Sequence, residues 1–167
     1  MASTRQRPDP QKSLVGFVVG EVAYAVPIAQ VREIVNPLVV TPLPHAPPAV
    51  VGVSDHRGEV VPIVELRSRF GLPRAPDPRR TKWILVDVQG RTVGLIVDSV
   101  TDVFGTGGAQ LQPAPELGAG DDLRGILGVT TYEGRLTFVL DVTRFEALVR
   151  PLDLRMPVAT GGEARKA

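Results

Sequence analysis

Val50-Val51-Gly52-Val53-Ser54-Asp55-His56-Arg57-Gly58-Glu59-Val60-Val61-Pro62-Ile63-Val64-Glu65-Leu66 is the stretch on which the fold turns. Two apolar arms flank a short polar turn. Val, Ile and Leu dominate both arms, and β-branched residues suit a pleated, buried surface, so the stretch reads as a β-hairpin. Gly58 stands where the turn must close. A positive φ is expected there, and glycine alone escapes the Cβ penalty. Arg57 is carried to the tip, where a rigid hairpin presents one charged side chain for recognition.

Similar signals lie on both sides. Residues 14–19 and 22–26 are apolar runs around Gly20-Glu21 and predict a first hairpin. Residues 27–35 place apolar side chains at 28, 31, 34 and 35, the spacing of one helical face. Pro27 suits a first helical turn and Asn36-Pro37 a stop, so a short helix is expected. Residues 41–48 are too rich in proline for a regular element and read as an extended connection. Residues 66–70 allow one helical turn, closed by Gly71. Residues 71–80 read as a linker. Strands then resume at 82–88 and 92–97 around Gln89-Gly90, with 98–104 alternating as a strand or a turn plus strand. Residues 105–120 read as loop with a short extended piece at 109–112. A last hairpin spans 125–132 and 135–142 around Glu133-Gly134, and 143–150 is helix-like. Residues 1–12 form a flexible N-terminus and 151–167 a loose tail.

The opening hairpin has a twin. Val51-Gly52-Val53-Ser54-Asp55-His56-Arg57-Gly58 aligns with Leu127-Gly128-Val129-Thr130-Thr131-Tyr132-Glu133-Gly134, placing Gly52 and Gly58 against Gly128 and Gly134 at one offset of 76 residues. Ile63-Val64-Glu65-Leu66 then matches Val139-Leu140-Asp141-Val142. Upstream, Val31-Arg32-Glu33-Ile34 resembles Val100-Thr101-Asp102-Val103 at a shorter offset. Gly58, Gly128 and Gly134 are assigned as structural turn positions. Two related halves of short strands predict a mainly β fold of two five-stranded barrels side by side, with short helices. The halves divide near residue 80, at about 13–79 and 80–150, with terminal strands open to exchange between them.

Composition excludes several functions. The 167 residues contain no cysteine, which removes thiolate metal sites, disulfides and cysteine nucleophiles. The chain has no apolar leader and no run near the ~20 residues that span a bilayer, so a cytoplasmic protein without membrane insertion is expected. His45 lies in a proline run. Asp55 beside His56 has no third ligand at a useful spacing, so no metal is expected. Gly105-Thr106-Gly107-Gly108 lacks a P-loop lysine, and no serine stands in a nucleophile elbow. No catalytic residue and no cofactor is assigned; what remains is a binding module. Net charge is +1, from 19 basic and 18 acidic residues. Arg67, Arg69, Arg74, Arg79, Arg80 and Lys82 cluster against Asp77, which leaves a nucleic-acid-binding barrel as the alternative function. Eight aromatic residues offer little stacking surface for single strands, and no nucleic acid is expected as partner.

The ordered series of motifs resembles the CheW family of chemotaxis coupling proteins over residues 13–150. It runs through Gly20-Glu21 with Tyr24, Val31-Arg32-Glu33-Ile34 and Thr41-Pro42-Leu43-Pro44 with Pro47. Gly52-Val53, Arg57-Gly58 and Val61-Pro62-Ile63-Val64-Glu65-Leu66-Arg67 follow. Val93-Gly94-Leu95-Ile96-Val97-Asp98-Ser99-Val100, Pro113-Ala114-Pro115 and Gly125-Ile126-Leu127-Gly128 complete it. The resemblance implies two SH3-like five-stranded barrels, an apolar core between them, and no catalysis. It implies a scaffold bridging a CheA-type histidine kinase, through its CheW-like domain, to the cytoplasmic tip of a chemoreceptor within arrays, with further CheW-like barrels joined in rings. Receptor contact is implied in a groove between the barrels. The matching positions are Val31 and Glu33 on the short helix, Gly52 and Val53 on the strand, and Arg57 at the turn, where an internal pair with Glu33 is the competing role. Family members carry Asn-Leu before Arg-Gly; this chain has Asp55-His56. His56 is therefore added to the binding set, with partner affinity expected to depend on pH near neutrality.

Overall fold

The structure is a computed structural model, and it describes residues 13–105, 111–113 and 125–152. Among the described residues, ten strands form two five-stranded sheets. They are β1 (Ser13–Val19), β2 (Val22–Pro27), β3 (Val31–Val35), β4 (Val50–His56), β5 (Glu59–Glu65), β6 (Lys82–Val88), β7 (Arg91–Val97), β8 (Ser99–Gly105), β9 (Ile126–Tyr132) and β10 (Arg135–Leu140). The short helices among the described residues are α1 (Leu66–Arg69), α2 (Glu146–Val149) and three 3-10 turns at Ile28–Gln30, Pro78–Arg80 and Val142–Phe145.

The sheets run β8-β1-β2-β10-β9 and β3-β6-β7-β5-β4. Placed side by side, these orders are the same pattern. Each begins on an edge strand, continues into an antiparallel hairpin (β1–β2 or β6–β7), and passes through a parallel pair to a second hairpin. The internal repeat is thus a repeat of structure. Thr41 exchanges backbone hydrogen bonds with Val53 at 2.8 and 2.9 Å, and Gln112 does the same with Val129, at the equivalent position of the twin hairpin. Glu65 N–H donates to the Ala49 carbonyl and Asp141 N–H to that of Gly125. These single bridges lay a connecting segment along the free edges of β4 and β9, which strand ladders leave open.

Sheet membership does not follow a division near residue 80. β6 and β7 join β3, β4 and β5, while the N-terminal hairpin β1–β2 is completed by β8, β9 and β10. The chain passes between sheets at Asp98, whose backbone N–H donates to the Val18 carbonyl at 2.9 Å.

Strand alternation sends side chains to opposite faces and creates three apolar clusters. The largest lies between the sheets. Val15, Phe17, Val19 and Val26 of one meet Val50, Val64, Ile84, Val86 and Leu95 of the other, and Val142, Phe145 and Val149 close one side. Leu14, Ala25, Phe104 and Val139 form a smaller cluster on the opposite face of the first sheet. Val61, Ile63, Trp83 and Leu85 form one on the opposite face of the second.

One element differs from expectation. The helix expected over 27–35 is a single 3-10 turn followed by β3, so Val31 and Glu33 stand on an edge strand. Apolar residues at 28, 31, 34 and 35 fit a helical face. Yet Val31, Ile34 and Val35 are β-branched, and β3 pairs with β6 through Val31↔Val86, Ile34↔Ile84 and Val35↔Trp83. A nine-residue helix is marginal without tertiary support, and a neighbouring strand offers a full ladder.

Candidate functional site at the hairpin tip

The β4–β5 turn has left-handed backbone at both central residues, with φ of 54° at Arg57 and 82° at Gly58. That is the signature of a type I′ turn, whose twist matches the flanking strands. Asp55 Oδ1 accepts the Gly58 N–H at 2.9 Å and locks the loop. Arg57 is thereby aimed outward, with its side chain 76 % exposed.

Glu33 reaches the same tip from β3, the opposite edge of the sheet. Its Oε1 accepts from Arg57 Nη2 at 3.0 Å, and its Oε2 lies 2.9 Å from His56 Nε2. A carboxylate only accepts, so Nε2 carries the hydrogen of that contact. One carboxylate therefore clasps the first and last strands of the sheet. The internal pair of Arg57 with Glu33 is present, and His56 shares it.

Val53 and Gly52 lie back along β4, about 13 and about 17 Å from Arg57 at ~3.3 Å per residue. Both serve the bridge to Thr41. Gly52 has φ 151°, and a Cβ there would collide with the Thr41 carbonyl and come within 2.8 Å of Val40 Cγ1. The close approach that glycine permits is made by this chain's own backbone. Val31 is half-buried and packs against the central core. Glu33, His56 and Arg57 thus form one cluster, while Gly52, Val53 and Val31 support the strands beneath it. Gly134 sits in a turn with φ 74°, as Gly58 does. Gly128 does not: it lies within β9, where the Gln112 carbonyl oxygen would meet a Cβ at 2.8 Å. A sequence match of glycines does not distinguish a turn from a close approach.

The twin hairpin carries a second clasp that the residues alone did not reveal. Tyr132 O–H donates to Asp102 Oδ2 at 2.7 Å, and its ring stacks on Phe104 with centroids 3.9 Å apart. Asp102 on β8 corresponds to Glu33, and Tyr132 to His56. Both correspondences are in the sequence repeat; only the fold shows that the paired positions touch. The Tyr132 hydrogen bond and the Val103 N–H hold the Asp102 carboxyl below its usual range. Asp102 in turn pushes the Tyr132 phenol up to about 12. Alkaline titration followed by tyrosinate absorbance should therefore show one of the two tyrosines ionising near pH 12. Asp102→Asn should return that phenol toward pH 10, and an unchanged titration would contradict the clasp.

A stronger charged pair lies beyond the far end of the β4–β5 hairpin, away from the tip. Arg67, just beyond β5, donates from Nε to Asp98 Oδ1 at 2.8 Å and from Nη2 to Oδ2 at 2.7 Å. Asp98 Oδ2 also accepts the Gly20 N–H at 2.8 Å. Burial opposes the Asp98 charge, but the Arg67 and Gly20 hydrogen bonds outweigh it and lower the pKa. Among the described residues, no group of three His, Cys, Asp or Glu is placed to hold a metal, and no helix is long and apolar enough to cross a membrane.

Comparison with known proteins gives a consistent picture. The CheW-like domain model matches residues 13–148. Chemotaxis protein CheW of Rhizobium meliloti is 36 % identical over 131 residues, covering 78 % of this chain and 84 % of that protein. The probable chemotaxis protein CheW of Rhizobium etli is 30 % identical over the same length and coverage. The crystal structure of the scaffolding protein TtCheW from Thermoanaerobacter tengcongensis superimposes with a TM-score of 0.71 at 25 % identity, covering 78 % of this chain and 89 % of that one.

Proposed function

The chain belongs to the CheW-like family, and from that membership we infer that it is a scaffold and adaptor of a chemotaxis-type signalling system. The observation that carries this is the match over residues 13–148, which takes in both sheets and the clasped tip. The nucleic-acid-binding alternative has no comparable support. The finer proposal is that the chain is non-catalytic and couples a CheA-type histidine kinase to the cytoplasmic tip of a chemoreceptor in the cytoplasm.

The tip cluster suits such a partner. A receptor tip is a helical hairpin, which docks through side chains entering a groove beside a strand. Arg57 offers a planar fork of donors for a carboxylate or for loop carbonyls. Glu33 holds that fork in place without burying it, and His56 fixes the carboxylate from the other side. Val31, Gly52 and Val53 keep the strands beneath in register.

Arg57→Ala should then separate binding from stability. An exposed pair is worth under about 1 kcal/mol, so the melting temperature should barely move. Capture by receptor tips and by the host's CheA-type kinases should fall at least tenfold. If pull-downs with both partner classes are unaffected, the tip is not the binding site.

A further inference from the structure

At the other end of β4 from the tip, about 20 Å away by strand rise, the cluster around Trp83 opens to solvent. The cavity there holds about 270 Å³ and is lined by Leu38, Val40, Val51, Trp83 and Ile96, with Arg67, Arg74 and Asp98 on its rim. A second hollow of about 340 Å³ adjoins it. The two share Arg67, Ala75, Thr81 and Asp98, and the second adds Asp77 and Arg80. An apolar floor with a few polar groups at its edge is the usual form of a binding pocket.

The rim carries arginine. Arg67, Arg74 and Arg80 line the two hollows together with Glu65, Asp77 and Asp98, and Arg79 stands beside Arg80 on the Pro78–Arg80 turn. Two of these three acids are already occupied by arginine. Asp98 is bound by Arg67, and Asp77 takes Arg79 at 3.3 Å with Arg80 at 3.8 Å. Arg79 and Arg80 keep side chains 91 % and 89 % exposed, so little of their charge is used internally. Arg74 has no ion pair among the described residues. The 3-10 turn at Pro78–Arg80 pins this cationic wall beside the cavity, capped by the Asp77 side chain on the Arg79 N–H.

We propose that this cavity is a second docking site, independent of the tip, for an acidic peptide segment of a partner protein that inserts one bulky apolar side chain over Trp83. Apolar shape selects the anchor residue. Arg74, Arg79 and Arg80 select flanking carboxylates and speed the encounter. The proposal does not depend on the receptor or kinase reading of the tip.

Trp83 is the single tryptophan of the chain and lies in the floor, so its fluorescence reports occupancy. The test titrates the intact protein with acidic heptapeptides of Asp and Glu around a central Leu, Met or Phe. At least one should give a saturable change in Trp83 emission with sub-millimolar affinity. Serine at the centre, lysine for the acids, or 0.5 M salt should each weaken it at least tenfold. The exposed double variant Arg74→Glu/Arg80→Glu should do likewise without altering the melting temperature, whereas Arg57→Ala should leave it unchanged. No saturable binding by any of the three peptides, equal binding of the lysine peptide, or indifference to the double charge reversal would each overturn the proposal.

Discussion

Asp98→Ala is expected to destabilise the protein by about 2–3 kcal/mol, more than an exposed pair contributes and less than removing one partner of a fully buried pair costs. Arg67 and Asp98 have side chains only 20 % and 21 % exposed, and the two hydrogen bonds between them are short and parallel. Deleting the carboxylate leaves the guanidinium half-buried without its counter-charge and strips the Gly20 N–H of its acceptor. The loss is not local. Gly20 belongs to the β1–β2 turn of one sheet and Arg67 lies in α1, just beyond β5 of the other, so Asp98 ties the sheets at a point where the chain crosses between them. Urea unfolding of Asp98→Ala, Arg67→Ala and the double variant forms a cycle. The double variant should cost much less than the sum of the singles, and full additivity would show the pair to be energetically idle.

The same pair sets a pH dependence. The folded pKa of Asp98 lies below the ordinary 3.8, so the unfolded state binds its proton first as pH falls. The stabilisation is complete above the unfolded value and is lost as pH falls through the folded one. Wild type should lose stability more steeply than Asp98→Asn as pH falls below about 4. Parallel curves would contradict the assignment.

Gly52→Ala is the second large effect, at about 3–5 kcal/mol. A φ of 151° costs a side chain on the order of 1–3 kcal/mol. The new Cβ would also drive Thr41 off the strand, breaking two backbone hydrogen bonds worth about 0.5–1.5 kcal/mol each. Gly58→Ala is the control. Its φ is also positive, but nothing lies within 4 Å of the added methyl, so about 1 kcal/mol is expected. If chemical denaturation ranks the two alike, the Thr41 contact is not what requires glycine at 52. If Gly52→Ala is the costlier of the two, loss of partner binding in it reports a failed strand edge rather than a missing contact.

Local pattern made the hairpins legible. Apolar β-branched arms around Gly20-Glu21, Arg57-Gly58, Gln89-Gly90 and Glu133-Gly134 carry their own turn chemistry, and all four hairpins are present. Residues 27–35 misled because four apolar positions fit a helix while the decision lay with β6, some fifty residues away. Sheet membership was hidden for the same reason: no local signal says that β2 pairs with β10 across more than a hundred residues. The site was legible in part. Arg57 at a tip and its pairing with Glu33 follow from motif and charge. The share taken by His56 and the mirrored Asp102–Tyr132 contact needed the two edges of each sheet to be seen together. The expected extended piece at 109–112 is described only at 111–112, where Gln112 bridges Val129. The flexible N-terminus expected over 1–12 and most of the tail expected over 151–167 lie outside the described residues.

The matched strand orders have a consequence for how the molecule comes to exist. The sheet holding β3 to β7 is drawn from one continuous stretch, Val31 to Val97, and can assemble as soon as that stretch has left the ribosome. The other sheet cannot. Its first hairpin is synthesised at the start and then waits for β8, β9 and β10, more than seventy residues later. Throughout that interval the nascent chain carries Val15, Phe17 and Val19 without their final sheet. An apolar hairpin held open this way is a target for chaperones and for misdirected pairing. The last-made strands then complete the fold by capturing the first, so a stall or truncation before β10 leaves both ends of the chain unsecured.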